Sequence, residues 1–472
     1  MSAENSQAQA PRLARNVLTV PNCIALSAAA MAPVLAVVLN APAAAPTTGA
    51  ALPLSFLIAF IAALLVGNTV IQFAREMPSA GSFYTFNRQG LGPAAGFLTG
   101  WLFAFGYGLF ALGLFTAFGG FAQSYIAGVA GVTLPWWIFS AFAMAVVLFL
   151  SIRSIRTSVQ VDLTMLIIEI TVFVLLAIIA IAHAGSGNSP TYFTPAASAT
   201  GISGVGFGMV FGLLSFAGFD AAATLGEETK NPRRSIPRAV IGALVAVGTF
   251  YVFVMYGLAA GYHLNNAASL KVFMADPNPF ITLAHRDAPW LAQIVSLVAM
   301  FGIFSCFLAI NNAVVRVIFS MGRDGVLPKW LSRTHPKYHS PVAAIWATAG
   351  FAVICGVPIA LWIGPGASGA YGFTGSIGTV AVVIVYLLSN IALIRYFARR
   401  QGRGLWRHII IPVLGVLALA YPLWSTLQPG SPPFNLVPII SGIWIAGGLV
   451  IYAVLKSKSP EKVAAMGSML AE

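Results

Sequence analysis

Long apolar runs separated by short clusters of charge set the rhythm of this chain. Twelve runs predict membrane-crossing helices, at about 17–41, 52–75, 93–126, 134–151, 160–183, 203–226, 238–262, 289–321, 341–363, 370–396, 408–427 and 434–456. Each is long enough to cross a hydrocarbon layer of ~30 Å. In lipid a helix satisfies its own backbone groups, so runs of this length predict helices rather than strands. The connections are short, which leaves no large soluble domain. The stretch NAPAAAPTTGAALP (40–53) reads as an outer turn, and HAGSGNSP (183–190) as a flexible outer connection. The reading is an all-α, polytopic membrane protein.

Composition agrees. Residues are 58% hydrophobic and only 8% charged, against ~25% charged in a soluble domain. The net charge of +13 is explained by its placement. Counted on alternating connections, all 25 Lys and Arg except Lys271 and Arg286 fall on the side of the two tails. That bias predicts cytoplasmic termini and an even number of spans. The basic surplus is therefore a topology signal, and no nucleic-acid partner is expected. Arg12 and Arg15 precede a full-length span rather than a short segment with a cleavage site, so no removable signal peptide is expected. Cys23, Cys306 and Cys355 lie inside apolar runs without metal-ligand spacing and read as small buried hydrophobes. The expected location is a bacterial plasma (inner) membrane.

Two spans do not read as simple anchors. In span 1, ALSAAAMAPVLAVVL (25–39) carries Pro33, which removes an N–H and clashes with the preceding turn. A kink or opening is expected near Ala29–Ala30. In span 6, LLSFAGFDAAATLG (213–226) sets Gly218 beside the acid Asp220. Backbone groups freed in lipid are tolerated where they line a cavity or meet a ligand. Five spans separate the two features, so two halves that each begin with a broken helix are inverted relative to one another. That is the plan of transporters that hold a substrate between half-helix ends near the midplane. Taken singly, Pro33 and Gly218 are ordinary membrane-helix residues; their matched positions favour a binding site.

Three stretches resemble the amino acid–polyamine–organocation family of permeases. REMPSAGSFYTFNRQGLGPAAGFLTGW (75–101) is similar to the family's segment after span 2. GFDAAATLGEETKNPRRSIPRAV (218–240) resembles its span 6 exit, and NNAVVRVIFSMGRDGVLPKWLSRTHPKYHSP (311–341) its span 8 exit. The resemblance implies the five-plus-five inverted-repeat (LeuT-type) fold with discontinuous helices 1 and 6. The divisions are then an N-tail over 1–16, repeats over 17–200 and 201–400, two additional helices over 401–456 and a C-tail over 457–472. It also implies that substrate amino and carboxyl groups meet backbone at the two breaks. Carried over, the site comprises Ser27, Ala28, Ala29, Ala30, Met31, Phe216, Ala217, Gly218, Phe219 and Asp220, with Tyr107 contributed by span 3.

The physical reading of the same residues is compatible. Half-helix N-termini suit a carboxylate and freed carbonyls suit an ammonium. The rings of Tyr107, Phe216 and Phe219 can pack on a side chain or a cation, or serve plain packing.

Two acids lie well inside spans, Glu169 and Asp220, while Asp162 is placed at the inner end of span 5. Glu169 is nine residues into span 5, ~14 Å along the helix. An ionised carboxylate there costs at least ~2.5 kcal/mol unless paired, wet or protonated. Several proton-coupled relatives of the resembled family carry a lysine near this position, whereas this chain has no lysine before Lys230. Glu169 is therefore expected to carry the proton or to partner a cationic substrate group. Asp220 is expected first to cap the second half of span 6, with gating or amine binding compatible with that role. Glu227 and Glu228 are expected in exposed pairs of little energetic weight, and Arg316 and Arg323 are expected to snorkel to the inner surface.

The expected function is a secondary permease for an amino acid, driven by H⁺, with an amine or polyamine carrier or an exchanger as alternatives and a non-transporting sensor or scaffold behind them. Sodium stays open, through helix 1 carbonyls and a hydroxyl such as Ser305. The substrate is expected to be small and zwitterionic or cationic, since no basic residue falls near the site. No cofactor, resident metal or enzymatic constellation is expected. Apart from the lipid bilayer, the expected state is a monomer or weak dimer.

Overall fold

Apolar periodicity yields twelve helices long and hydrophobic enough to cross a membrane: Val20–Ala45, Gly49–Glu76, Pro93–Ala130, Trp136–Arg153, Ile155–His183, Ile202–Leu225, Pro232–Gly261, Pro289–Arg323, Val342–Ile363, Ala370–Ala398, Trp406–Thr426 and Phe434–Lys458, hereafter spans 1 to 12. The computed structural model describes residues 13–466 apart from 199, 277, 367–368, 399, 401, 403 and 429. Arg12, Arg399, Arg403 and the ends of both expected tails lie outside the described residues. No strand occurs among the described residues; one isolated bridge joins Leu18 to Thr229.

The packing repeats itself with the offset of five. Span 2 lies against span 7, and span 3 against span 8. The contact of span 1 with span 7 is matched by that of span 6 with span 2. Span 3 with span 10 is matched by span 8 with span 5, and span 3 with span 9 by span 8 with span 4. Equivalent pairs recurring in this way are what an inverted repeat requires. Spans 11 and 12 stand outside this core, with 22% and 17% of their most apolar stretch buried, against 94% for span 3.

Small residues let the core helices approach. A Cβ on Gly106 of span 3 would lie 3.0 Å from the carbonyl oxygen of Gly378 in span 10. Close backbone approach supplies the van der Waals contact that the hydrophobic effect cannot supply between helices in lipid.

Three expectations are corrected. Residues 40–53 turn only towards their end: span 1 continues through a π-helical segment, Ala36–Asn40, into the helix Ala41–Thr48, and the turn is confined to Gly49–Ala51. Alanine's helix propensity prevails, and Pro42 sits in the first turn, where a missing N–H is tolerated. The 183–190 connection is pinned, because buried Tyr192 donates to the Gly187 carbonyl at 2.8 Å. Arg316 and Arg323 do not snorkel. Arg316 is 2% exposed and grips Glu228 through two nitrogens, Nε to Oε2 at 2.5 Å and Nη2 to Oε1 at 3.1 Å, with Nη1 on the Asn312 carbonyl. Arg323 forks Glu227 at 2.9 and 2.8 Å. The guanidinium plane matches a carboxylate bidentately, which holds both charges in place once the exits of spans 6 and 8 adjoin.

Both described chain ends meet this same face. The amides of Val17 and Leu18 donate to the Glu228 carbonyl at 2.9 and 3.1 Å, and the Lys230 amide returns to Leu18 at 2.9 Å. At the other end, Arg88 donates to the Ala464 carbonyl at 2.8 Å.

Glu228→Ala leaves Arg316 charged and alone in a buried site, and is expected to lower stability by about 3–5 kcal/mol. Glu76→Ala only releases the exposed Arg400, 3.3 Å away, and is expected to cost under about 1 kcal/mol. Thermal unfolding of the detergent-purified variants checks the ranking; equal losses would refute it.

Candidate functional site

Span 1 stops being helical at Met31. Its first part, Val20–Ala30, ends there, Ala32 takes a left-handed conformation at φ 51°, and helix resumes with Pro33–Leu35. The opening thus falls one to two residues later than Ala29–Ala30. Pro33 occupies the first position of the new helix, where its ring is tolerated, and no side chain caps the amides that follow. Span 6 breaks opposite. Its helix Ile202–Phe216 ends, Ala217–Asp220 cross the gap, and a 3-10 turn, Ala221–Leu225, completes the crossing. Gly218 has φ +109°, and a Cβ there would stand 2.5 Å from the Ala30 carbonyl oxygen. Only glycine permits both the conformation and the approach.

Side chains from several helices take up backbone groups that the breaks release. The Tyr251 hydroxyl of span 7 contacts the carbonyl oxygens of Met31, at 2.5 Å, and Ser215, at 2.9 Å. Ser27 donates to the Phe219 carbonyl at 2.7 Å while accepting from the Ala222 amide at 2.9 Å. Asn40 donates to the Ser215 hydroxyl at 2.8 Å.

Between the breaks lies a cavity of about 40 Å³, walled by Ala30, Met31, Ala32, Ser215 and Ala217 of the interruptions and by Phe110, Cys306 and Tyr371. That is far below the ~300 Å³ at the lower end of small-molecule sites, so this is a contracted site. Its lining contains no carboxylate and no basic side chain. One turn further along span 3, around Ala117 and Phe121, begins a vestibule of about 500 Å³ on the face away from the chain ends, where His285, Gln293 and Ser296 contribute.

The face of the chain ends is sealed by Asp220. Both Tyr107 of span 3 and Tyr386 of span 10 donate to its Oδ1, at 2.8 and 2.6 Å, while Oδ2 has no partner among the described residues. Asp220 precedes the 3-10 turn without making a cap hydrogen bond, so the capping expectation is corrected: two phenols outcompete the local amides for the carboxylate. The opposite turn of span 6 is 3-10 rather than α, with Ala222 capped by Ser27 from span 1 instead.

Glu169 is the middle residue of Ile155–His183, 2% exposed, with Oε1 unpartnered. A Cβ on Gly302 of span 8 would lie 3.2 Å from its carboxyl carbon and 2.8 Å from Val34 Cβ, which puts Glu169 beside the resumed part of span 1. Asp162 is not at the interface. Span 5 begins at Ile155, so Asp162 lies two turns inside, fully buried, accepting from Ser305 at 3.2 Å with Oδ2 unpartnered. Ser305 is thereby engaged by span 5.

Of the residues carried over from sequence, Ala30, Met31 and Ala217 line the cavity. Ser27, Ala28, Ala29, Phe216, Gly218, Phe219, Asp220 and Tyr107 are buried around it, chiefly towards the chain-end face. Sequence reasoning missed Tyr251, Asn40, Ser215 and Tyr371. Asn40, a polar side chain in an apolar run, carried a usable signal; Tyr251 and Tyr371 sit in aromatic-rich helices with nothing to distinguish them.

Comparison with known proteins follows the same line. The sequence model of one family, Amino acid permease, matches residues 18–454. The chain is 27% identical over 449 residues to the branched-chain amino acid permease BcaP of Bacillus subtilis (strain 168), covering 88% of this chain and 87% of that protein. It is also 27% identical to the methylthioribose transporter of the same organism, over 89% of each chain. The low-affinity putrescine importer PlaP of Escherichia coli (strain K12) is 24% identical over 85% of each.

Tyr251→Phe removes the donor from two buried carbonyls, at an expected cost of about 1–3 kcal/mol. Hydrogen exchange followed by mass spectrometry is expected to quicken in peptides spanning 30–36 and 215–221 and to stay unchanged in span 12. Uniform acceleration would show that the hydroxyl does not hold the interruptions.

Proposed function

The chain belongs to the amino acid permease family and is a membrane transporter rather than an enzyme; on that premise we propose that it is a secondary active permease moving a neutral amino acid by alternating access. The observation that carries the reading is the pair of interruptions facing each other across an uncharged cavity. Two helix ends bring carbonyls to it, and the resumed part of span 1 starts just behind Ala32 of its wall with no side-chain cap on its amides. That arrangement complements an ammonium and a carboxylate held on one carbon. The apolar remainder of the wall, including Phe110 and Cys306, suits an uncharged side chain.

The printed names of the relatives cover an amino acid, a thiosugar and a diamine, so naming alone does not choose the substrate. An amine carrier is the second reading, favoured by the buried Asp220 and Glu169. Neither carboxylate lines the cavity, which ranks the zwitterion first.

Coupling is assigned to H⁺ through Glu169. A carboxyl at mid-span with no cationic partner is held more easily protonated than ionised, and its neighbours Val34 and Gly302 belong to the two helices that must shift if the site opens. The vestibule faces the exterior and the tyrosine-bound Asp220 closes the cytoplasmic side. Both termini are placed in the cytoplasm by the distribution of Lys and Arg, in a plasma membrane. Over 17–200 and 201–400 the chain divides into the two inverted repeats, with Ser27–Met31 and Phe216–Asp220 as their paired substrate segments.

A thermal-shift screen of the purified protein against amino acids and amines at two pH values tests the substrate. A ligand at 100 times its Kd stabilises the folded state by about 2.7 kcal/mol. Neutral amino acids are expected to raise the melting temperature; stabilisation by amines lacking a carboxylate, and not by amino acids, would overturn the ranking.

Glu169→Gln in proteoliposomes is expected to keep substrate binding and to lose acceleration of uptake by an imposed pH gradient. Full rate with full pH dependence would remove Glu169 from coupling.

A further inference from the structure

Span 3 presents to the outside of the core a crevice of about 210 Å³ that is separate from the central cavity. Trp101 and Phe105 of span 3, Phe351 of span 9 and Trp444 of span 12 form its sides, and Met321 of span 8 forms part of its floor. One side is rigid: the Trp444 ring stacks on Trp101 at 4.5 Å between centroids and on Phe105 at 4.0 Å. Trp101 lies eight residues beyond Pro93, ~12 Å along the helix, in the half of the membrane nearer the chain ends. At this depth the surrounding medium is hydrocarbon, and a dry aromatic crevice is filled by what the medium supplies.

The mouth is marked by charge. Leu327 and Leu331 line the crevice at the chain-end face, and the 3-10 turn Lys329–Ser332 carries the second of them. A Cβ on Gly325 would lie 3.9 Å from Lys329 Cε and 3.7 Å from Lys462 Cδ, so the connection after span 8 and the helix Pro460–Ala465 bring two lysine side chains together. Neither forms an ion pair among the described residues. The acids nearest in sequence are Asp324, which accepts from Tyr84 at 2.8 Å, and Glu461, exposed on its own helix. Exposed Arg333 and Lys337 add positive charge on the same connection, and Lys456 and Lys458 on the end of span 12. Trp330 and Trp346, 48% and 57% exposed, are the sequence neighbours of the lining residues Leu331 and Ala347, and exposed indole rings favour the lipid–water boundary.

An apolar slot below two converging ammonium groups matches an amphiphile with an anionic head and a hydrocarbon tail. We propose that this crevice between spans 3, 8, 9 and 12 is a binding site for an anionic phospholipid, with an acyl chain against Trp101, Phe105 and Trp444 and the phosphate between Lys329 and Lys462. The slot takes the tail of any phospholipid; the lysines select the head. The site lies away from the substrate cavity, so it stands independently of the transported molecule.

The test uses delipidated full-length protein in detergent, titrated with phosphatidylglycerol or with phosphatidylcholine of the same chains, and read by native mass spectrometry and melting temperature. Each lysine near an anionic head contributes about fivefold in affinity, so the lysine pair favours phosphatidylglycerol by roughly 25-fold. Lys329→Gln combined with Lys462→Gln is expected to bring phosphatidylglycerol to the level of phosphatidylcholine, with lipid-free melting unchanged. Ala104→Phe, which fills the slot, is expected to weaken both lipids. Soluble glycerol phosphate is expected not to bind, since it lacks the tail. Equal affinity of the two lipids for the unaltered protein would overturn the proposal. So would retained preference in the double variant, tight binding of glycerol phosphate, or full lipid binding by Ala104→Phe.

Discussion

A peptide group inside a bilayer has no water to turn to, and every irregular feature of this protein answers to that constraint. Spans 1 and 6 are interrupted partway and cannot satisfy their backbones within themselves. Their loose ends are gathered by borrowed side chains, Tyr251 from span 7 and Ser27 across the gap. Between the interruptions lies one small cavity, lined by residues of both. The inverted repeat matters because it brings two such interruptions face to face.

Polar chemistry is distributed unevenly along the membrane normal. At the chain-end face Glu227 and Glu228 are matched, held by Arg323 and Arg316, while Asp220 is held through one oxygen by two tyrosines and leaves the other without a partner among the described residues. In span 5, Glu169 and Asp162 each keep an oxygen without a partner. The paired acids make a tight closure at that face, whereas the carboxylates left incomplete lie deeper among the spans. On the other face the vestibule is broad. The protein is therefore shut towards its termini and accessible from the opposite side.

Much of this was legible in the sequence, and the parts that were not have a common cause. Spans emerge from apolar runs, and the breaks from Pro33 and Gly218, because those signals are local. Even the position of Glu169 near mid-span needs only counting. Arg316, Arg323 and Asp220 were misplaced because their partners are 88, 96 and 113 residues away in the chain. A charged residue near a helix end looks the same whether it reaches water or a buried carboxylate on another helix. Residues 40–53 were misread for a local reason: prolines that suggest a turn are accepted in a first helical turn, and alanine supplies the rest. Tyr251 illustrates the limit, since a tyrosine among aromatics becomes a clamp only when two interrupted helices arrive at its hydroxyl.

The short backbone ladder between residues 17–18 and 228–230 has a mechanical meaning. It splices the leading segment of the first crossing to the trailing segment of the sixth, outside the hydrocarbon and beyond the reach of the substrate. Those two segments are thus yoked, and any swing that unseals their end of the molecule carries them as one lever. At the inner end of each yoked segment stands an interruption, so in the proposed transport cycle the joints of the lever and the seat of the cargo coincide.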